Sequence, residues 1–178
     1  MSPIKKVNEE VFVAEKGMVQ VDRAQIEFLK AQAARNPRHR ARLCAHKDSQ
    51  DRIHEMLIAL TQDVYIRPHK HLHKSESFLV IDGSALVVYF DDTGGIAEVL
   101  SIGEAGSGRP FYFRNDDERY HTQVITSPFL VFHEATNGPF NRADTVFAPW
   151  SPEETDTEGV RAFLERLRGQ AARKEEAR

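Results

Sequence analysis

Between Ile53 and Phe147 the chain breaks into short β-branched and aromatic runs. The runs are residues 56–60, 64–66, 78–81, 86–90, 96–102, 110–113, 121–125, 129–132 and 146–147. Turn residues separate them, most clearly Asp82-Gly83 and Asp91-Asp92-Thr93-Gly94-Gly95. Strands spaced roughly eight to twelve residues apart, with no helical runs between them, point to a sandwich or barrel and not to βαβ units. The run 86–90 (Leu-Val-Val-Tyr-Phe) is apolar on both parities, so both faces of that strand are expected to be covered.

The flanks have another character. Residues 1–21 alternate polar positions with valines and Phe12, which suggests one or two strands around a turn at Gly17. Asp22 has the form of a helix N-cap, Ile26, Leu29 and Ala33 recur at helical spacing, and Asn36-Pro37 stops the run. Residues 37–52 are strongly basic, with Arg38, Arg40, Arg42 and Lys47. Such a run is expected as a solvated linker or short helix, the sharper alternative being an anion-binding rim or subunit contact. Ser151-Pro152-Glu153-Glu154 has the form of a helix start, with Gly159 interrupting; Val160, Phe163, Leu164 and Leu167 then trace an amphipathic helix. The expected organisation is an extension over 1–50, a β-domain over 51–150 and a C-terminal helix over 151–178.

Composition excludes several classes. The 178 residues carry a net charge of −3 and are 40% hydrophobic, without the basic excess of a nucleic-acid binder. No apolar run reaches the ~20 residues that cross a bilayer, so no membrane partner is expected. The first residues lack the apolar core of a signal peptide. A single cysteine, Cys44, makes no internal disulfide, so a cytoplasmic location is the expectation. Flanked by Leu43 and Ala45, it is expected to be packed and inert.

Three histidines and a carboxylate crowd into Pro68-His69-Lys70-His71-Leu72-His73-Lys74-Ser75-Glu76. On a strand, residues two apart point the same way, so His69 and His71 present their imidazoles side by side. Glu76 can swing back with a carboxylate. His121, opening a distant strand after Asn115-Asp116-Asp117-Glu118, is the expected fourth ligand. Mixed imidazole and carboxylate ligation suits one divalent transition metal (iron, manganese, zinc, nickel or copper) better than calcium or magnesium. His73 continues the parity but leaves too short a gap before Glu76, and is expected either behind the metal ligands as a supporting neighbour or at the surface. Tyr65 and Arg67 share the parity of His69 and His71 if the strand runs unbroken through Pro68. Tyr65 is then a proton carrier, and Arg67, costly inside unless paired, would grip a substrate carboxylate or phosphate. Of His133 and Glu134, one faces the cavity as a further acid–base group, and the register decides which. Tyr112 and Tyr120 are weaker candidates.

His69-x-His71-x4-Glu76-x6-Gly83 resembles the first cupin motif. The second motif, normally a Pro-x-Gly turn with a histidine three residues after the glycine, keeps only His121; Asp116 and Glu118 stand at the turn positions. Arg38-x-Arg40-x3-Cys44-x-His46, Tyr65-x-Arg67-Pro68-His69-x-His71, Gly138-Pro139-Phe140 and Ala148-Pro149-Trp150-Ser151-Pro152-Glu153 are similar to the WbuC family of cupin-fold metalloproteins. That family is associated with bacterial O-antigen and polysaccharide gene clusters. The resemblance, over roughly residues 20–155, implies a mainly β, cupin-type double-stranded β-helix (jelly-roll barrel) with an N-terminal helical extension and a C-terminal helix. It suggests a metal-dependent isomerase, epimerase or lyase on a small, anionic, sugar or sugar-nucleotide-like substrate. Cupin analogy adds a homodimer paired through sheets or through swapped N-terminal strands, which residues 4–21 would suit. The rival readings are a dioxygenase, a non-catalytic sensor or carrier, and a metal-free sugar isomerase.

Overall fold

The apolar runs are strands that stack into two sheets. The computed structural model describes residues 3–15 and 17–177. In chain order the strands are β1 (Ile4–Lys6), β2 (Val11–Ala14), β3 (Arg40–Cys44), β4 (Ile53–Thr61), β5 (His69–His71), β6 (Glu76–Asp82), β7 (Ser84–Phe90), β8 (Ile96–Gly103), β9 (Tyr112–Asn115), β10 (His121–Ile125), β11 (Phe129–Asn137) and β12 (Thr145–Phe147). Helix α1 (Arg23–Arg35) lies between β2 and β3, and α2 (Thr157–Glu176) ends the chain.

The sheets are ordered β1-β2-β3-β4-β11-β6-β9 and β12-β5-β10-β7-β8. Only the β2–β3 pair is parallel among the described strands. The inner orders β4-β11-β6-β9 and β5-β10-β7-β8 send the chain back and forth between sheets, which is the double-stranded β-helix, or jelly roll. The fold is thus the mainly β, cupin-type architecture expected from the sequence.

Side-chain alternation sorts the core into three layers. Leu60, Phe78, Val80 and Phe132 meet Val87, Tyr89, Ile102 and Ile125 between the sheets. Ala41, Leu43, Leu57, Ala59 and Val131, on the other face of the large sheet, pack under Ile26, Leu29 and Ala33 of α1. Leu86, Val88 and Phe90 pack under Phe163, Leu167 and Ala171 of α2. Strand β7 is therefore covered on both faces, as its unbroken apolar run required.

Helix α1 starts at Asp22, whose carboxylate accepts from Ala24 N while Gln25 reaches back to the Asp22 N–H. Three expectations need correction. The turn between β1 and β2 lies at Asn8, whose side chain accepts from Glu10 N and Val11 N, and not at Gly17. Residues 40–44 are a strand, not a linker or short helix: Ala41 and Leu43 are anchored beneath α1, which turns Arg40 and Arg42 to the opposite face. The last helix is capped by Asp156, which accepts from Gly159 N, so Gly159 lies in its first turn and does not interrupt it. No helix among the described residues is long and apolar enough to cross a membrane.

Candidate metal centre

Strands β5 and β10 pair with His69 opposite His121. His121 also faces Tyr89, an inner-core residue, which fixes the inward direction. Parity carries His71 to the same side. The ring centroids of His69 lie 4.8 Å from those of His71 and His121, and one ligand nitrogen from each of the three rings lies within 4.8 Å of the others.

The outer nitrogens are tied back. His69 Nδ1–H donates to the Arg67 carbonyl at 2.8 Å, and His121 Nδ1–H donates to the Arg119 carbonyl at 3.0 Å. A carbonyl only accepts, so both rings carry a proton on Nδ1 and leave Nε2 for the cavity. His71 Nδ1 meets the Thr145 hydroxyl at 3.2 Å. Burial, and then the neighbouring His121 and His71, push the His69 pKa down to about 3, keeping it neutral.

Glu76 arrives from the opposite sheet. The chain crosses over at residues 72–75, with His73 in the left-handed region at φ 58°. Glu76 Oε1 lies 3.0 Å from His71 Nε2, and Oε2 lies 3.5 Å from His121 Nε2. Oε2 is buried and has no hydrogen-bond partner. Burial alone would raise this carboxyl's pKa, yet the imidazoles of His121 and His71 hold it well below the usual carboxylate range. An imidazole protonated only on Nδ1 turns a lone pair toward such a carboxylate. Positive charge must stand between them, either as ring protons or as a metal ion. Three imidazoles, two of them with fixed tautomers, facing a carboxylate with an unpartnered oxygen, fit a divalent transition metal.

Glu134 shares the face of Phe132, points between the sheets and lines a cavity of about 300 Å³ together with His69, Glu76, His121, Gln123 and Phe78. Its partial burial, followed by the negative charge of Glu76, raises its pKa to about 8. His133 has the opposite parity and lies 3.6 Å from Glu55, outside this cavity. The register thus selects Glu134 as the cavity residue of the pair.

Tyr65 and Arg67 are placed differently from expectation. Strand β5 begins only at His69, so residues 64–67 do not continue its parity. The Tyr65 hydroxyl donates to the Pro152 carbonyl at 2.8 Å, and its ring packs on Phe163 of α2. Arg67 pairs with Glu153 at 3.0 Å, donates to Ser151 Oγ at 3.1 Å and lies over the Phe147 ring. Tyr112 is exposed and Tyr120 belongs to the layer under α2. His73 is at the surface beside Glu118. Cys44 is buried, and burial pushes its thiol pKa up, consistent with an inert residue.

Sequence reasoning passed over Gln123, Tyr89 and Phe147. Gln123 was legible in principle, two residues from His121 on the same strand face; its Oε1 is buried without a partner. Phe147 and Thr145 reach the site only because β12 pairs with β5, which no local pattern reveals.

Residues 21–102 match the model of a family described as a domain of unknown function (DUF6016). No curated protein matches the chain. Among solved structures, a Shewanella oneidensis protein is 12% identical, with 73% of this chain and 78% of that chain covered and a TM-score of 0.49. A Klebsiella pneumoniae protein with a double-stranded β-helix domain is 14% identical over 61% of this chain and 79% of its own, with a TM-score of 0.47. The capsular polysaccharide assembling protein CapF of Staphylococcus aureus is 18% identical, with 60% of this chain covered and a TM-score of 0.45; the match spans 32% of CapF.

Proposed function

We propose that the protein holds one divalent transition metal through His69, His71, His121 and Glu76 and uses the site to turn over a small polar molecule. The observation that carries this reading is the mutual approach of three imidazoles beside the buried carboxylate of Glu76, whose Oε2 has no hydrogen-bond partner. Bound there, iron, manganese, zinc or nickel would supply Lewis-acid polarisation of a substrate oxygen.

The protein's own residues do the rest. Glu134, whose carboxyl pKa is raised in the metal-free chain, lines the cavity and is placed to exchange a proton with a substrate atom there. Gln123 offers a free carbonyl oxygen to a substrate hydroxyl. Phe78, Phe132, Ile58 and Leu60 line the cavity and restrict water around Glu134. Proton movement beside a polarised oxygen is the chemistry of isomerases, epimerases and lyases. The resemblance to the WbuC family favours sugar or sugar-nucleotide-like substrates of bacterial polysaccharide synthesis.

Metal analysis of protein purified without chelator tests the first half. About one ion per chain, lost in His69→Ala, is expected; metal-free protein, or a content unchanged by that substitution, refutes the site. Incubation of metal-loaded protein with sugar phosphates and sugar nucleotides tests the second half. Turnover abolished by chelation and strongly reduced in Glu134→Gln is expected. Metal retention with no turnover assigns a binding role.

A further inference from the structure

The rim of the cavity carries a second recognition element. On β3, Ala41 and Leu43 lock under α1, so Arg40 and Arg42 project from the face that carries Ile58 and Leu60 toward the core. A strand position so close to a core would ordinarily be apolar; an arginine is tolerated because the sandwich opens here. Arg42 lines the 300 Å³ cavity with the histidines, a neighbouring space of about 460 Å³ that also touches His71, Glu76 and Glu134, and an outer space of about 660 Å³ that also touches His69. It stands where the three meet.

The arginines of this rim are not equivalent. Arg38 forms paired contacts with Glu10 and Glu154. Arg40 donates to Glu10 at 3.0 Å. Arg67 is committed to Glu153, Ser151 and the Phe147 ring. Arg42 and Arg142 also border the outer space; neither has a side-chain hydrogen bond, ion pair or ring contact among the described residues, although the Arg42 charge acts at longer range on Glu134 and Cys44. Arg42 is the one that also reaches the inner cavity. Its backbone is clamped between β2 and β4, opposite Val11 and Ile58, so its guanidinium projects from a rigid base.

We infer that Arg42 is the anchor for an oxyanion group, carboxylate or phosphate, on the molecule whose other end enters the histidine cavity, with Arg142 flanking it. A guanidinium presents two parallel N–H donors to either group, and one already neutralised by glutamate would gain little from a further anion. The inference deepens the function proposed above and rests on it only for the identity of the reacting end. The anion site itself requires no metal.

Calorimetric titration of inorganic phosphate and of malonate into the chelator-treated full chain tests it. At pH 8 free imidazole is largely neutral, and failure of the metal reading leaves the experiment intact. Saturable binding of at least one anion is expected, weakened about tenfold or more in Arg42→Gln. Arg42→Lys, which keeps the charge but loses the fork, should fall between the two. Arg161→Gln, removing the same charge from the exposed face of α2, should bind as wild type. Tighter phosphate binding points to a phosphorylated substrate, tighter malonate binding to a carboxylic acid. Absence of saturable binding to wild type, or equal weakening by Arg42→Gln and Arg161→Gln, overturns the inference.

Discussion

Glu76 Oε1 lies 3.0 Å from His71 Nε2, although the two residues belong to opposite sheets. Five positions of chain separate them, and within that distance the backbone leaves one layer of the sandwich and enters the other. The motif is compact in sequence because residues 72–75 alone carry the chain from one sheet to the other. Its histidines and its acid approach from opposite walls.

This arrangement makes the carboxylate charge decisive. Glu76→Gln preserves size and removes the anion, and should lower affinity for zinc by more than the roughly 10–100-fold typical of losing an outer hydrogen-bond partner. His73→Ala, altering an exposed side chain, should leave affinity unchanged. Competition against a chromophoric chelator measures both.

Stability of the metal-free protein should depend on pH with two opposite signs. The folded-state pKa of Glu134 is raised, so its contribution is full below about pH 4.5 and is lost as pH rises toward about 8. The pKa of His69 is depressed, so its contribution is full above about pH 6.5 and is lost as pH falls toward about 3. Between about pH 7 and 8 the Glu134 effect dominates. Over that interval the wild-type melting temperature should fall, and the Glu134→Gln profile should be flatter. A wild-type profile that rises through that window would contradict the assignment.

Arg67 should behave as a structural residue. It ties the chain after β12 to the loop before β5, through Ser151 and Glu153, and stacks on Phe147. Because Glu153 is largely exposed, the ion pair itself is worth little. Arg67→Ala is expected to cost about 1–2 kcal/mol of stability, from lost stacking and packing, with zinc affinity nearly unchanged. Urea denaturation and the chelator competition together separate these effects.

Gly83 has a steric duty. It joins β6 to β7 at φ +85°, and an added Cβ would lie 2.0 Å from the Phe129 carbonyl oxygen. Gly83→Ala should therefore destabilise the protein by roughly 2–4 kcal/mol through forced displacement of β11, as measured by urea denaturation. The glycine of the motif is explained by this contact without any part in metal binding.

Much of the fold was legible because its strongest signals are local. The doubly apolar run of β7 announced two covered faces, and Asp22 announced the start of α1. His69, His71, Glu76 and His121 were found through parity and spacing, and the structure brings all four together. What escaped was set by long-range contacts. The inward placing of Tyr65 and Arg67 depends on a strand unbroken through Pro68, yet β5 pairs only from His69, where β10 and β12 supply partners. That displaced Tyr65 and Arg67 from the expected cavity wall. The basic run 37–52 hid a strand because Ala41 and Leu43 gain meaning only from α1 above them.

The division of ligands between the two sheets has a mechanical consequence. The chain has a single cysteine and so no internal covalent tie. An ion held by His69, His71 and His121 on one layer and Glu76 on the other would bolt the layers together and close a loop of some fifty residues, a restriction of the unfolded chain comparable in kind to a disulfide. Chelation would then loosen the sandwich from its open end, and amide exchange should quicken first in β5 and β12, which border that end, while β7, held between two packed layers, stays protected.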